Sequence, residues 1–200
     1  TRRVIVHHDW GHTKDIMSVL MGVVNKDDLK SQVAGFVASF APYDTPAQQR
    51  AALRRLWQVC RYEIQYQEDP KGVQAIKHPA RTWYDKKGDC KSLTVFIYMC
   101  CRAMQIPCFI PFASYNPSKQ IGHVYPVAVV DGEAVPVDAV WTRFEDEERP
   151  TYFENHLPAV FANDPQMRRA VKNSVPHDPA IGAGNKLPTI QKTLLAVLAR

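Results

Sequence analysis

An apolar run over residues 93–104 sets the strongest constraint on how this chain can fold. Its large side chains recur at helical spacing: Leu93, Phe96, Ile97, Cys100, Cys101 and Met104. This spacing predicts a helix that is buried in the core. Gly88 permits a sharp turn before the run, and Asp89 is a good N-cap. The chain is therefore expected to fold around a helix that begins beside Cys90.

Cys90 falls in the first turn of that predicted helix. There the unpaired backbone N–H groups and the helix dipole favour the thiolate over the thiol. A nucleophile needs such an environment, although a lone cysteine is more often a small core residue. Downstream features favour the nucleophile, because His123 opens one apolar strand and Asp138 ends the next.

A turn between those two strands decides whether their polar side chains can meet. Residues 131–132 are Asp-Gly, which predicts a two-residue hairpin loop. Counting outward from this loop makes His123 and Asp138 diagonal neighbours on one face, with Cβ atoms roughly 7 Å apart. A three-residue loop would put them on opposite faces. Pro126 and Pro136 weaken the ladder, and a bulge at either would upset the count.

The three motifs in this order resemble the transglutaminase-like cysteine protease superfamily, whose bacterial and viral members carry Gly-Asp-Cys, His-Val and a strand-borne Asp. Here the motifs are residues 88–90, 123–124 and 137–139. The resemblance covers roughly residues 43–141. It implies an α+β, papain-like core in which a helix carrying the cysteine packs on an antiparallel sheet carrying the histidine and the aspartate.

The resemblance also implies a catalytic triad of Cys90, His123 and Asp138, with no metal and no organic cofactor. Cys90 would attack a carbonyl carbon, His123 would transfer the proton, and Asp138 would orient the imidazole. Water as acceptor gives a peptidase or amidase acting on peptide or isopeptide bonds, and an amine as acceptor gives a transglutaminase. Small members of the superfamily are commonly protease-like, so hydrolysis is preferred.

The oxyanion hole has several candidate donors. In this superfamily a side chain upstream of the cysteine often helps to form it, and Gln65, Tyr66 and Gln74 are chemically able. The sequence does not choose among them. The backbone N–H of Cys90 is a stronger candidate, because it lies at a helix N-terminus. For Trp141 two interpretations stay open: it forms part of the wall of the site, or it packs in the core.

Composition argues against several classes of protein and partner. The formal charge of +5 and pI near 9.0 arise from scattered Lys and Arg residues, which argues against nucleic-acid binding. Five cysteines without a Cys-x-x-Cys pair indicate a reducing compartment rather than a disulfide framework. No stretch reaches the length of a membrane span, and no secretory signal is recognised. We expect a cytoplasmic or otherwise reducing intracellular location, or incorporation in a particle.

The chain divides into three predicted segments: an N-terminal helical segment over 1–42, the catalytic core over 43–143, and a Pro-rich C-terminal arm over 144–200. From Pro150 the arm is expected to bury little apolar surface, except at an amphipathic helix over 189–200. Such an arm suits docking on another subunit or on its own domain. It motivates the alternative that the protein is structural, for example a virus particle component that keeps the fold.

A second cluster of polar side chains lies near the N-terminus: His7, His8, Asp9 and His12. These residue types can bind a divalent metal. Their spacing does not bring the ligands to one point on a helix, so a solvated arm is the favoured interpretation and no metal site is predicted.

Overall fold

The computed structural model describes residues 3–7, 13–145 and 150–174, with side chains from Asp15 onward. Two 3-10 turns, Asp27–Gln32 and Ala159–Phe161, accompany the longer elements. The helices and strands in chain order are β1 (Arg3–His7), α1 (Thr13–Val24), α2 (Ala34–Ala38), α3 (Pro46–Glu63), β2 (Gln65–Tyr66), β3 (Val73–Lys77), α4 (Pro79–Asp85), β4 (Lys87–Gly88), α5 (Cys90–Ala103), β5 (Cys108–Ser114), β6 (His123–Val124), β7 (Val127–Val130), β8 (Glu133–Pro136), β9 (Tyr152–His156) and α6 (Pro165–Asn173).

Helix α5 lies at the centre of the fold, as the apolar run predicted. Every residue from Lys91 to Cys101 is buried. Helices α1, α3 and α4 pack against it, and so do strands β3, β5 and β6. Each large apolar side chain buried here contributes about 1.5–3 kcal/mol. The helix therefore supplies much of the hydrophobic free energy of folding and holds Cys90 in a rigid frame.

Helix α3 begins at a capping box, which its sequence predicts. The Thr45 hydroxyl accepts a hydrogen bond from the Gln48 N–H, and the Gln48 side chain accepts one from the Thr45 N–H. Pro46 occupies the first helical position, where its missing N–H costs nothing. The buried face of this helix consists of Ala52, Leu53, Leu56, Trp57 and Cys60. This face packs against α5.

The main sheet is antiparallel, and strand β5 lies inside it. Strand β9 pairs along one edge of β5, β6 and β7 follow one another along the other edge, and β8 pairs with β7. Phe112 lies opposite Val124 and Phe109 opposite Val127, so β6 and β7 share one register across Pro126. That proline interrupts the ladder without a bulge. The α+β arrangement, with the Cys90 helix on an antiparallel sheet, confirms the predicted fold class.

The β7–β8 hairpin has the predicted two-residue loop. Val130 lies opposite Glu133. Asp131 and Gly132 have φ of 53° and 77°, the positive values that a type I′ turn requires. Because the register is unbroken, every residue of the hairpin stays on the predicted face.

Residues 150–174 differ from the predicted extended arm. Strand β9 pairs with β5 over five positions, from Ile110 opposite His156 to Ser114 opposite Tyr152. Helix α6 buries Met167 and Ala170 in a cluster with residues of the sheet. The expectation that the chain buries little apolar surface beyond Pro150 is wrong for this part.

The proline content of this region was misleading for two physical reasons. Asp164 caps α6 by accepting from the N–H groups of Gln166 and Met167, and Pro165 sits at the helix start, where proline is tolerated. Strand β9 is short, and its pairing with β5 is a long-range contact that local periodicity does not reveal. The terminal helix predicted over 189–200 lies outside the described residues, and the three-segment division stays a prediction.

Candidate active site

Cys90 is the first residue of α5 and is half-buried. Asp89 caps the helix, and its Oδ1 accepts a hydrogen bond of 3.0 Å from the Ser92 N–H. Gly88 is needed because of close packing: a Cβ at this position would lie 3.0 Å from the Cβ of Ser92. The motif therefore places Cys90 at the helix N-terminus, where unpaired N–H groups favour a thiolate.

His123 and Asp138 meet on one face of the sheet, as the hairpin count predicted. The His123 Nε2 lies 2.5 Å from Asp138 Oδ2, and both residues are 3% exposed. An ionised carboxylate only accepts hydrogen bonds, so Nε2 carries the proton in this contact. The remaining ring nitrogen, Nδ1, is then the one left for Cys90, whose side chain is also hydrogen-bonded to His123.

The charge state of His123 follows from its neighbours. Burial lowers the pKa of the imidazole, but the Asp138 carboxylate and the contact with Cys90 outweigh burial and raise the pKa of His123 to about 10. His123 is therefore protonated at neutral pH. The positive charge on the imidazolium therefore lies beside the Cys90 side chain.

Three further hydrogen bonds hold Asp138 in place. The Val140 N–H donates to Asp138 Oδ1 at 2.9 Å. The Asp138 backbone oxygen accepts from the Trp141 N–H at 3.2 Å and from the Trp57 indole at 2.9 Å. The bond from Trp57 is buried and joins α3 to the end of the hairpin. From sequence Trp57 is recognisable only as an inward-facing residue of a helix, because its partner lies 81 positions away.

A buried hydrogen bond also ties the helix that begins at Cys90 to the strand that carries His123. Thr94 on α5 donates from Oγ1 to the backbone oxygen of Val124 at 3.0 Å. The His123 ring stacks on Tyr125 with centroids 5.4 Å apart, and Tyr115 lies 6.1 Å away. The sequence did not predict these contacts, since each joins residues through a long-range or face-to-face contact.

Cys90 and His123 open onto a cavity of about 300 Å³. The wall is formed by Ile16, Met17, Tyr66, Glu68, Asp69, Gln74, Asp89, Cys90, Lys91, Phe112, Ile121, Gly122, His123 and Val124. Trp141, proposed from sequence as a wall or a core residue, is not part of this lining. It packs edge-to-face on Tyr115, with ring centroids 6.3 Å apart.

The structure separates the three candidate oxyanion donors. Tyr66 and Gln74 line the cavity, whereas Gln65 is exposed and does not. Parallel pairing of β2 with β4 sets Tyr66 opposite Gly88, which brings it to the site. Burial raises the pKa of Tyr66, and negative charge on Cys90 and Asp89 raises it further. Its hydroxyl therefore stays protonated and able to donate.

An ion-pair network that the sequence did not indicate lies beside Cys90. Lys91 contacts the Asp89 carboxylate, and its Nζ lies 3.4 Å from Asp69 Oδ2. Asp69 Oδ2 in turn accepts from the Ala75 N–H at 2.6 Å. Burial lowers the pKa of Lys91, but Asp89 and Cys90 raise it by more, so the ammonium is retained. The network holds the capping carboxylate and the β2–β3 connection against the start of α5.

The other cysteines differ from Cys90 in their surroundings. All five are free thiols, and Cys60, Cys100, Cys101 and Cys108 are buried. Burial raises the pKa of Cys60, Cys100 and Cys108, which keeps them protonated and unreactive. Within the described ranges, no group of three or more His, Cys, Asp or Glu side chains converges on a metal position. The predicted cluster of His7, His8, Asp9 and His12 has no described side chains.

Comparison with protein families gives the class that this geometry suggests. Residues 36–144, just over half of the chain, match the transglutaminase-like superfamily. The chain belongs to that superfamily, whose fold is compatible with cysteine-dependent acyl transfer. Among curated proteins and solved structures, none shows significant similarity to it.

In the part of the chain that the structure covers, no helix is both long and apolar enough to cross a bilayer.

Proposed function

We propose that this protein is a cysteine-dependent acyl-transfer enzyme that acts as a peptidase or amidase on peptide or isopeptide bonds. The observation that supports this most directly is the continuous contact from Cys90 through His123 to Asp138 at the wall of an open cavity. A buried histidine between a carboxylate and a half-exposed thiol is the arrangement that nucleophilic catalysis by cysteine needs.

The reaction would proceed in two halves. The Cys90 sulfur attacks the carbonyl carbon, a C–S bond forms, and His123 delivers its proton to the departing amine as the C–N bond breaks. Water then attacks the thioester while His123 accepts a proton from it. The C–S bond breaks, the acid product leaves, and the thiolate–imidazolium pair is restored.

Asp138 would act on His123 rather than on the substrate. It orients the ring through Nε2 and stabilises the imidazolium that supplies the leaving-group proton. Because His123 has a pKa of about 10, its imidazole is protonated before the substrate arrives. The backbone N–H of Cys90 is the main oxyanion donor in this scheme, and the side-chain donor is Tyr66 or Gln74.

The structural alternative makes a different demand on the same residues. A structural protein that keeps this fold without catalysis needs no reactive thiol. The reason for considering it, a predicted docking helix over 189–200, rests on sequence alone. Burying the His123–Asp138 pair in the core carries a desolvation cost that apolar side chains would avoid, and a purely structural protein gains nothing in return. This cost favours the enzyme. A peptide or protein substrate is implied, and assembly through the C-terminal segment stays a prediction.

Labelling with iodoacetamide tests the proposal. At pH 7 we expect Cys90 to be modified well before the four buried cysteines, as read by mass spectrometry of the peptides. His123→Ala should slow labelling strongly because the cationic partner is lost, and Asp138→Asn should slow it less. Cys90→Ser, which keeps the size and cap of the site, is the control. Equal labelling of all cysteines, unchanged by His123→Ala, would favour the structural alternative.

A second assay separates hydrolysis from transamidation. Wild type and Cys90→Ser are incubated with a mixed peptide pool in the presence of a fluorescent primary amine. Cleavage or deamidation without incorporation of the amine is the expected result. Incorporation that exceeds hydrolysis would identify a transglutaminase instead.

A further inference from the structure

Helix α1 contributes to the reactive cavity although it precedes the segment that matches the superfamily. The match begins at residue 36, whereas Ile16 and Met17 of α1 line the same cavity as Cys90 and His123. This part of the wall therefore comes from outside the matched segment, and it lies where it can contact a substrate.

The position of α1 is set by core packing. Leu20 and Val24 are fully buried and Val23 is 2% exposed, all within the main hydrophobic cluster. Met17 is 7% exposed, and Ile16 is the half-exposed member of the pair at the cavity. A well-packed helix is costly to displace, so the wall it forms is pre-organised.

Two chemically different sets of side chains line the cavity. The apolar set consists of Ile16, Met17, Phe112, Ile121 and Val124. The polar and charged set includes Glu68, Asp69, Gln74, Asp89 and Lys91. Hydrolysis of an amide requires no apolar lining, since the chemistry is carried by the thiol, the imidazole and the oxyanion donors. Apolar surface beside a nucleophile gains free energy when an apolar substrate group covers it.

We propose that Ile16 is a specificity-determining residue and that the substrate carries an apolar side chain next to the carbonyl that Cys90 attacks. This side chain packs against Ile16 and Met17 of α1. A volume of about 300 Å³ suits one or two side chains of an extended peptide. The inference rests on the proposed function, because it takes Cys90 as the nucleophile.

The test compares two reagents that alkylate Cys90 through the same carbon: iodoacetamide and 2-iodo-N-benzylacetamide. The measured quantity is the ratio of their labelling rates, divided by the same ratio for free cysteine. Wild type should prefer the benzyl reagent. Ile16→Ala should reduce this preference about tenfold, the low end for lost apolar contact in a pocket.

Matched variants keep the test decisive. Val19→Ala is the control, since Val19 packs on the core from the same helix but does not line the cavity. Ile16→Met retains apolar surface and should keep the preference, whereas Ile16→Thr keeps the branched shape and should lose it. If Ile16→Ala fails to fold, the comparison of Ile16→Met with Ile16→Thr decides whether Ile16 sets the preference for the benzyl reagent.

Two adverse results have different meanings. Preferential, His123-dependent labelling of Cys90 with an unchanged benzyl ratio in Ile16→Ala and Ile16→Thr would overturn the specificity inference and leave the proposed function in place. Wild-type Cys90 that reacts no faster than the buried cysteines would overturn the proposed function, and the inference with it.

Discussion

Replacing Trp57 by Phe should destabilise the protein and loosen the side chain of Asp138. The Trp57 ring is 5% exposed, and its indole N–H donates to the Asp138 backbone oxygen at 2.9 Å. Phenylalanine keeps most of the apolar contact but leaves that buried oxygen without this donor. That oxygen keeps a hydrogen bond of 3.2 Å from the Trp141 N–H, so the change removes one hydrogen bond and costs about 0.5–1.5 kcal/mol. The smaller ring adds a cavity cost, so we expect a total loss of about 1–3 kcal/mol.

Tyr98→Phe provides a chemically matched control. Tyr98 is fully buried, and its hydroxyl has no hydrogen-bond partner among the described residues. Removing the hydroxyl leaves no other group without its hydrogen-bond partner, and it removes the desolvation cost of an unpaired hydroxyl. We therefore expect a change of less than about 1 kcal/mol, toward neutral or greater stability.

Both variants are measured by urea unfolding at pH 7, followed by circular dichroism, with Cys90 labelling as a second readout. Trp57→Phe should also slow labelling, because a less constrained Asp138 orients His123 less well. Tyr98→Phe should label like wild type. Equal stability of the two variants, with unchanged labelling in both, would refute the role given to the Trp57 hydrogen bond.

Two further predictions concern the charge of His123 and the packing at the start of α5. The pKa of His123 is raised from 6.5 to about 10, so its stabilising contribution is complete below about pH 6.5 and lost as pH rises through 10. The difference in unfolding free energy between wild type and His123→Gln should therefore shrink as pH rises over that range. His156→Gln, on the partly exposed β9, is the control. A difference that grows with pH would contradict the charge assigned to His123. Gly88→Ala should cost about 1–3 kcal/mol, because its Cβ meets Ser92 at 3.0 Å. Gly22→Ala, with nothing within 4 Å, should instead stabilise α1 by about 0.5–1 kcal/mol, and equal melting temperatures for these two variants would argue against the close contact.

The candidate site was predictable from sequence to the extent that its parts follow local rules. The N-cap at Asp89 and the α5 helix rest on helical spacing and capping, which act within a few residues. The placement of His123 and Asp138 on one face of the sheet follows from a two-residue turn, which fixes the pairing register along both strands. These features lie within one short stretch each, so a count along the chain is sufficient to recover them.

Other parts of the site depend on contacts between distant segments. Lys91 gains its role from the approach of Asp69, and Tyr66 reaches the cavity through pairing with Gly88. Local pattern also failed over 150–174, where the prolines suggested an extended arm. The structure instead has a strand that pairs with β5 and a helix that packs on the sheet. Pairing with β5 supplies backbone hydrogen bonds that the isolated segment lacks.

Periodicity, capping and turn chemistry in the amino-acid sequence were enough to specify a buried helix with Cys90 at its start and a hairpin that aligns His123 with Asp138. Tertiary structure alone decided which nitrogen of His123 faces Asp138, which upstream donors line the cavity, and that Ile16 forms part of its wall. The physical reason is that propensity and register act over a few residues, whereas burial, ion pairing and pKa arise only when remote segments exclude water from one another.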